Sequence, residues 1–107
     1  MNRVYVGLLA MGLGALSIAP SASAVPTESA YLDEVDTQLP KVSQQIDSTV
    51  LLNLASEVCG QLYLGHSRGS VNDAVAGQFA QKGWPRSTGV TLVSLSVKYF
   101  CPEEATR

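Results

Sequence analysis

The apolar positions of the chain fall into separated runs, each with its own period. The first is "VYVGLLAMGLGALSIA" (residues 4–19), uncharged and preceded by the short basic start Asn2-Arg3. Pro20 breaks this run, and Ala22-Ser23-Ala24 supplies a small-x-small site. That order predicts a secretory signal peptide over residues 1–24, cleaved after Ala24. As a helix the run is roughly 24 Å long at 1.5 Å per residue, short of the ~30 Å hydrocarbon core of a bilayer. The membrane is therefore expected to be met only transiently, during export. The mature chain, residues 25–107, is expected to form one small domain.

The remaining runs have helical spacing. In "VPTESAYLDEVDTQLP", Tyr31, Leu32, Val35 and Leu39 share a face, the acids sit early, and Pro40 is expected to end the helix. "KVSQQID" reads as a linker. "DSTVLLNLASEVCGQLYLG" is the strongest helix. Asp47 or Ser48 caps it, and Val50, Leu51, Leu54, Ala55, Val58, Cys59 and Leu62 form an apolar stripe. Asn53, Ser56, Glu57 and Gln61 take the other side. Gly60, costly inside a helix, suggests a second backbone passing close by. Gly65 suits the left-handed position beyond the helix end. In "SVNDAVAGQFAQKGW", Ser70 and Asp73 form a variant capping box, and Val71, Ala74, Val75 and Phe79 line one face. Gly83 stops that helix, with Trp84 folding back onto Phe79.

The last run, "STGVTLVSLSVKYFC", fits two periods. Val93, Leu95, Val97, Tyr99 and Cys101 alternate as in a strand. Val90, Val93, Val97 and Phe100 fall on one helical face. β-Branched content favours the strand, but the chain offers no second strand to satisfy its backbone. The expectation is a helix capped at Ser87 or Thr88 and followed by Pro102. The fold class is then all-α, a bundle of about four helices.

Composition narrows the function classes. Removing Arg3 from the seven basic residues leaves six, scattered among nine acidic ones. No basic patch points to nucleic acid or to an anionic membrane surface. The chain has two cysteines, Cys59 and Cys101. Exported proteins meet oxidising conditions, so the two are expected to pair. In the chain-entropy model, closing a loop of roughly 43 residues contributes about 4 kcal/mol.

With "AYLDEVDTQL" first, "VCGQLYLG" in the middle and "LVSLSVKYFCPE" at the end, the chain resembles the small exported actinobacterial, chiefly mycobacterial, family catalogued as domain of unknown function 732. The resemblance covers residues 30–103. Its most specific parts are Cys59 followed by Leu62 and Gly65, and the terminal Tyr99-Phe100-Cys101-Pro102. It implies an exported, helical, single-disulfide domain with no established activity.

The candidate chemistry is sparse. His66 is the sole histidine. It lies in "GHSRG", where the simplest reading is a solvated loop. Tyr63 and His66 share a face if the helix runs past Gly65, and both residue types ligate haem iron. A haem carrier resembling the small helical haemophores is thus the alternative reading. Zinc needs three or four protein ligands, more than one histidine and two paired cysteines provide. Cysteine catalysis by Cys59 with His66 needs a free thiolate and an orienting group, and there is no C-x-x-C pair. "GHSRGS" lacks the lysine and preceding strand of a phosphate loop. Arg68 before a helix is at most a stray anion contact. Asp33, Glu34 and Asp36 read as a solvated face. Trp84 and Arg86 are the candidate partner contacts if Trp84 is not absorbed by Phe79. The reading is a secreted or envelope-associated binding module, not an enzyme. It has no resident cofactor or metal, and its partner is an unknown protein or small molecule.

Overall fold

The structure, a computed structural model, describes residues 26–105. The expected signal segment, residues 1–24, lies outside them. The described chain forms α1 (Pro26–Gln38), α2 (Pro40–Gln45), α3 (Ser48–Tyr63), α4 (Arg68–Gln81) and α5 (Arg86–Phe100), followed by a 3₁₀ turn at Pro102–Glu104. No strand occurs among the described residues. The all-α bundle is as expected, with five α-helices rather than four.

The extra helix occupies the segment read as a linker. Pro40 does not simply stop α1; it opens α2 at a position where its missing N–H is not needed. Val42, 1% exposed, anchors this single turn and a half in the core. The Ser43 hydroxyl donates to Asp36 at 2.8 Å and so braces the elbow between α1 and α2.

Local signals place the other ends. The Asp47 side chain accepts from the Thr49 N–H at 3.0 Å and caps α3. α4 starts earlier than the sequence suggested. Ser67, not Ser70, is its cap, accepting from the Ser70 N–H at 3.1 Å. α5 begins at Arg86, after Pro85, with no side-chain cap, because Thr88 is drawn into the core at 7% exposure. α3 and α4 both finish in Schellman turns. His66 N–H reaches the Gln61 carbonyl at 3.1 Å, and Trp84 N–H reaches Phe79 at 2.9 Å. The left-handed residues there are Gly65 (φ 99°) and Gly83 (φ 88°).

α5 is the axis of the bundle. α1, α3 and α4 all pack against it, and α3 and α4 meet each other far less than they meet α5. Leu92, Val93, Leu95, Ser96 and Val97 are all buried, so burial extends well beyond one helical stripe. That explains the double periodicity: a helix enclosed by three others has little polar face left to mark its phase. Val90 departs from the expected stripe and is 37% exposed. The buried Ser96 hydroxyl is satisfied by the Leu92 carbonyl at 2.7 Å, one turn earlier.

Two contacts fix α5 in the angle between α3 and α4. At its C-terminal end Cys101 is bonded to Cys59 of α3, with Cα atoms 5.9 Å apart. At its N-terminal end Gly89 lies against the backbone of α4. A Cβ there would stand 2.8 Å from Ala76 Cα and 2.9 Å from the Val75 carbonyl oxygen. Ala76 is the buried residue at this crossing (1% exposed), whereas Ala74, expected inside, faces outward. Gly60 proves not to be a close-approach glycine, since nothing lies within 4 Å of its Cβ position.

The two glycines should therefore respond oppositely to the same change. Gly89→Ala forces two backbones apart and should cost about 1–3 kcal/mol. Gly60→Ala should raise stability by about 0.5–1 kcal/mol through helix propensity. Urea unfolding of both variants decides this; equal effects would remove the α4–α5 contact from the account. Both cysteines are bonded and buried, at 6% and 0% exposure, so native protein should resist iodoacetamide until reduced. Cys59→Ser and Cys101→Ser should each lose about 2–5 kcal/mol, to the same extent.

Candidate functional site

Because α5 fills the inner angle between α3 and α4, the outer side of that angle stays open. The result is a groove along the two helices, in two adjoining lobes. The lobe nearer the α3–α4 turn encloses about 330 Å³ and has His66 and Ser70 at its end. The other encloses about 480 Å³ and ends at Ile46 and Trp84. Leu54, Glu57 and Gln78 line both lobes and form the waist between them. Val58 and Val75 lie under the first lobe, Leu51 and Phe79 under the second. A third hollow, about 570 Å³, continues past Trp84 to Leu39 and Pro40 at the α1–α2 elbow.

The width of the apolar stripe on α3 has its explanation here. Leu51, Ala55, Val58, Cys59 and Leu62 are buried in the bundle. Val50, at the edge of the same stripe, is 55% exposed on the groove wall. A stripe broader than one packing partner requires was the signal for a second surface. Gln78 and Ala74 on α4, the opposite wall, were not anticipated as site residues.

The expected site residues separate. His66 is exposed and lines the first lobe. Tyr63 is 58% exposed and does not line it. Its phenol donates instead to the Glu103 carboxylate in the C-terminal turn. That bond pushes the Tyr63 pKa up and holds the Glu103 carboxyl below its ordinary range. Trp84 is partly buried, edge-on to Phe79 with centroids 6.4 Å apart, and still lines the groove. Arg86 stands 3.7 Å from Asp73 in an exposed pair, which is expected to stabilise little. Arg68 is the first residue of α4, and its Nη2 donates to Ser94 of α5 at 3.3 Å.

Glu57, His66 and Ser70 all border the first lobe. No hydrogen bond joins the three, so the base–nucleophile contact of a serine triad is not formed. Among the described residues no group of three or more His, Cys, Asp or Glu is placed to hold a metal. None of the described helices is long and apolar enough to cross a membrane.

The most interconnected polar cluster lies away from the groove, where α1 docks on α5. Lys98 Nζ donates to Glu34 Oε1 at 2.8 Å, and the Tyr99 phenol donates to the same oxygen. Beneath them the fully buried Tyr31 donates to the Leu51 carbonyl at 3.1 Å, and burial pushes its phenol pKa up. Glu34, expected to be a solvated acid, is thus a clasp. Its bond from Lys98, then that from Tyr99, holds its carboxyl below the usual glutamate range, and the partnership raises Lys98.

These features define a small helical domain with one buried disulfide and an open groove on the face away from its axis helix. The chain matches the model of a family described as protein of unknown function (DUF732) over residues 27–103, and it belongs to that family. No curated protein and no solved structure matches it.

The signs of these shifts set the pH behaviour of the clasp. Glu34 is depressed in the folded state, so its contribution is complete above the ordinary glutamate range and lost as pH falls through the folded value. Lys98 is raised, so its contribution is complete below the ordinary lysine range and lost at alkaline pH. Amide exchange in α1 should therefore accelerate in acid beyond the intrinsic pH effect, ahead of α3 to α5. In Glu34→Gln this acid-specific acceleration should be absent. If the variant keeps it, the clasp is not what holds α1.

Proposed function

We propose that this chain is exported, loses residues 1–24, and acts outside the cytoplasm as a non-enzymatic module that binds an apolar ligand in the α3–α4 groove. Export is supported by the basic start, uncharged run and small-x-small site. A buried disulfide suits an oxidising compartment. The observation that carries the binding reading is the groove itself: a concave apolar floor with polar groups at its edges, in the volume range of ligand sites. Its charged residues, Glu57 and Lys82, are spread along it rather than gathered at one reacting point. That distribution suits holding a ligand more than converting one.

Trp84 is the sole tryptophan and lines the groove, so its emission reports occupancy. A panel of decanoate and short uncharged apolar peptides should include a ligand that shifts this emission saturably. Val50→Asp and Ala74→Glu place charge on opposite walls at exposed positions. Either should abolish the shift with little change in melting temperature. A fluorophosphonate probe should leave Ser70 unlabelled; covalent labelling there would overturn the non-enzymatic reading.

A further inference from the structure

We infer that the groove takes an extended, net-neutral peptide segment of about five residues that presents two apolar side chains at alternate positions. This rests on the groove being the binding site and adds the class of ligand.

The first argument is the scarcity of apolar surface. Of the exposed large hydrophobic side chains among the described residues, only Val50 lines a lobe; Tyr63, Leu64 and Val90 do not. A folded partner docked there would need roughly 800 Å² on each side, which a narrow groove with one such residue on its wall does not supply. The occupant is therefore slender.

The second argument is charge. Glu57 projects from the α3 wall and Lys82 follows the end of α4, so opposite signs face the same lobe. His66 stands at the far end. A polyanion meets Glu57 and a polycation meets Lys82, so neither is favoured along the whole groove. A chain with little net charge meets no such penalty.

The third argument separates a peptide from an acyl chain and from a helix. Asn53 and Gln61 on α3, Gln78 on α4 and Gln45 on α2 line the groove with carboxamides. None of these side chains hydrogen-bonds to another described residue. Each offers both donors and an acceptor. An extended backbone directs N–H and C=O groups sideways to both walls while its side chains alternate up and down. An acyl chain has no groups along its length to meet carboxamides, and a helix has already spent its backbone groups internally.

Length and shape agree. Leu51 to Gln61 spans about 15 Å along α3, which about five extended residues cover. The two lobes, divided at Leu54, Glu57 and Gln78, receive two inward side chains with one outward residue between them.

The test uses the purified, disulfide-bonded protein and three probes read by Trp84 emission. They are acetyl-Gly-Leu-Ser-Phe-Gly-amide, its rearrangement acetyl-Gly-Leu-Phe-Ser-Gly-amide, and decanoate. The alternating peptide should bind at least tenfold more tightly than the rearranged one. Gln78→Leu, which keeps the groove apolar but removes donors and acceptor at an exposed position, should weaken the peptide about fivefold. It should not weaken decanoate. If decanoate binds and neither peptide does, or if Gln78→Leu leaves the peptide untouched, the peptide inference falls while the groove remains the site. If no probe moves Trp84, both readings fall together.

Discussion

Everything in this molecule depends on α5 being held in the angle between α3 and α4. Hydrophobic burial alone does not dictate that arrangement, because it is not directional. What makes it specific is a fixed point at each end of α5. The disulfide to Cys59 pins the C-terminal end to α3. At the N-terminal end, Gly89 brings the backbone against Ala76 of α4, closer than any residue with a side chain permits. One constraint sets which helix α5 follows, and the other sets how deeply it sits. With both in place, α3 and α4 are spread apart by the helix between them, and the groove is the outer consequence of that spreading.

The outline of the fold was legible in sequence; its crossing geometry was not. The two cysteines, the stop at Gly83 with Trp84 returning to Phe79, and the face of α1 could all be read because each depends on local spacing. α2 was missed because a proline that ends one helix can equally begin the next, and only the burial of Val42 shows which applies. The glycines show the limit most clearly. Gly60 and Gly89 both lie inside helices, yet only Gly89 meets another backbone. That difference resides in the partner helix, not in the residues beside either glycine. The inward face of α4 was read with Ala74 in place of Ala76 for a related reason. Its Ala74 and Ala76 are the same residue, one facing out and the other holding the crossing.

The polar residues show a matching division. Glu34, Lys98 and Tyr99, together with Tyr63 and Glu103, are engaged with one another and secure α1 and the C-terminal turn to the bundle. The carboxamides of the groove make no hydrogen bonds among the described residues, which is what the proposed binding reading draws on. Glu34, read in sequence as part of a solvated acidic face, is thus structural, and uncharged residues that drew little notice in sequence define the most distinctive surface. Glu34 and Lys98 lie 64 positions apart, so no local pattern could reveal that they are partners.

A groove between two helices is costly to maintain unless something prevents the walls from closing over it. In a bundle where α3 and α4 packed directly on each other, an apolar trough would collapse by rotating their side chains together. Here the trough cannot close without expelling α5, and α5 is covalently tied to one wall and seated against the backbone of the other. The open shape is therefore present before any ligand arrives. A ligand entering it has little protein ordering to offset, which matters most for a short chain that must surrender its own conformational freedom on binding. On the proposed reading the disulfide has a role beyond the stability it contributes: by tying α5 to α3, while Gly89 seats α5 on α4, it helps hold the two walls of the groove apart.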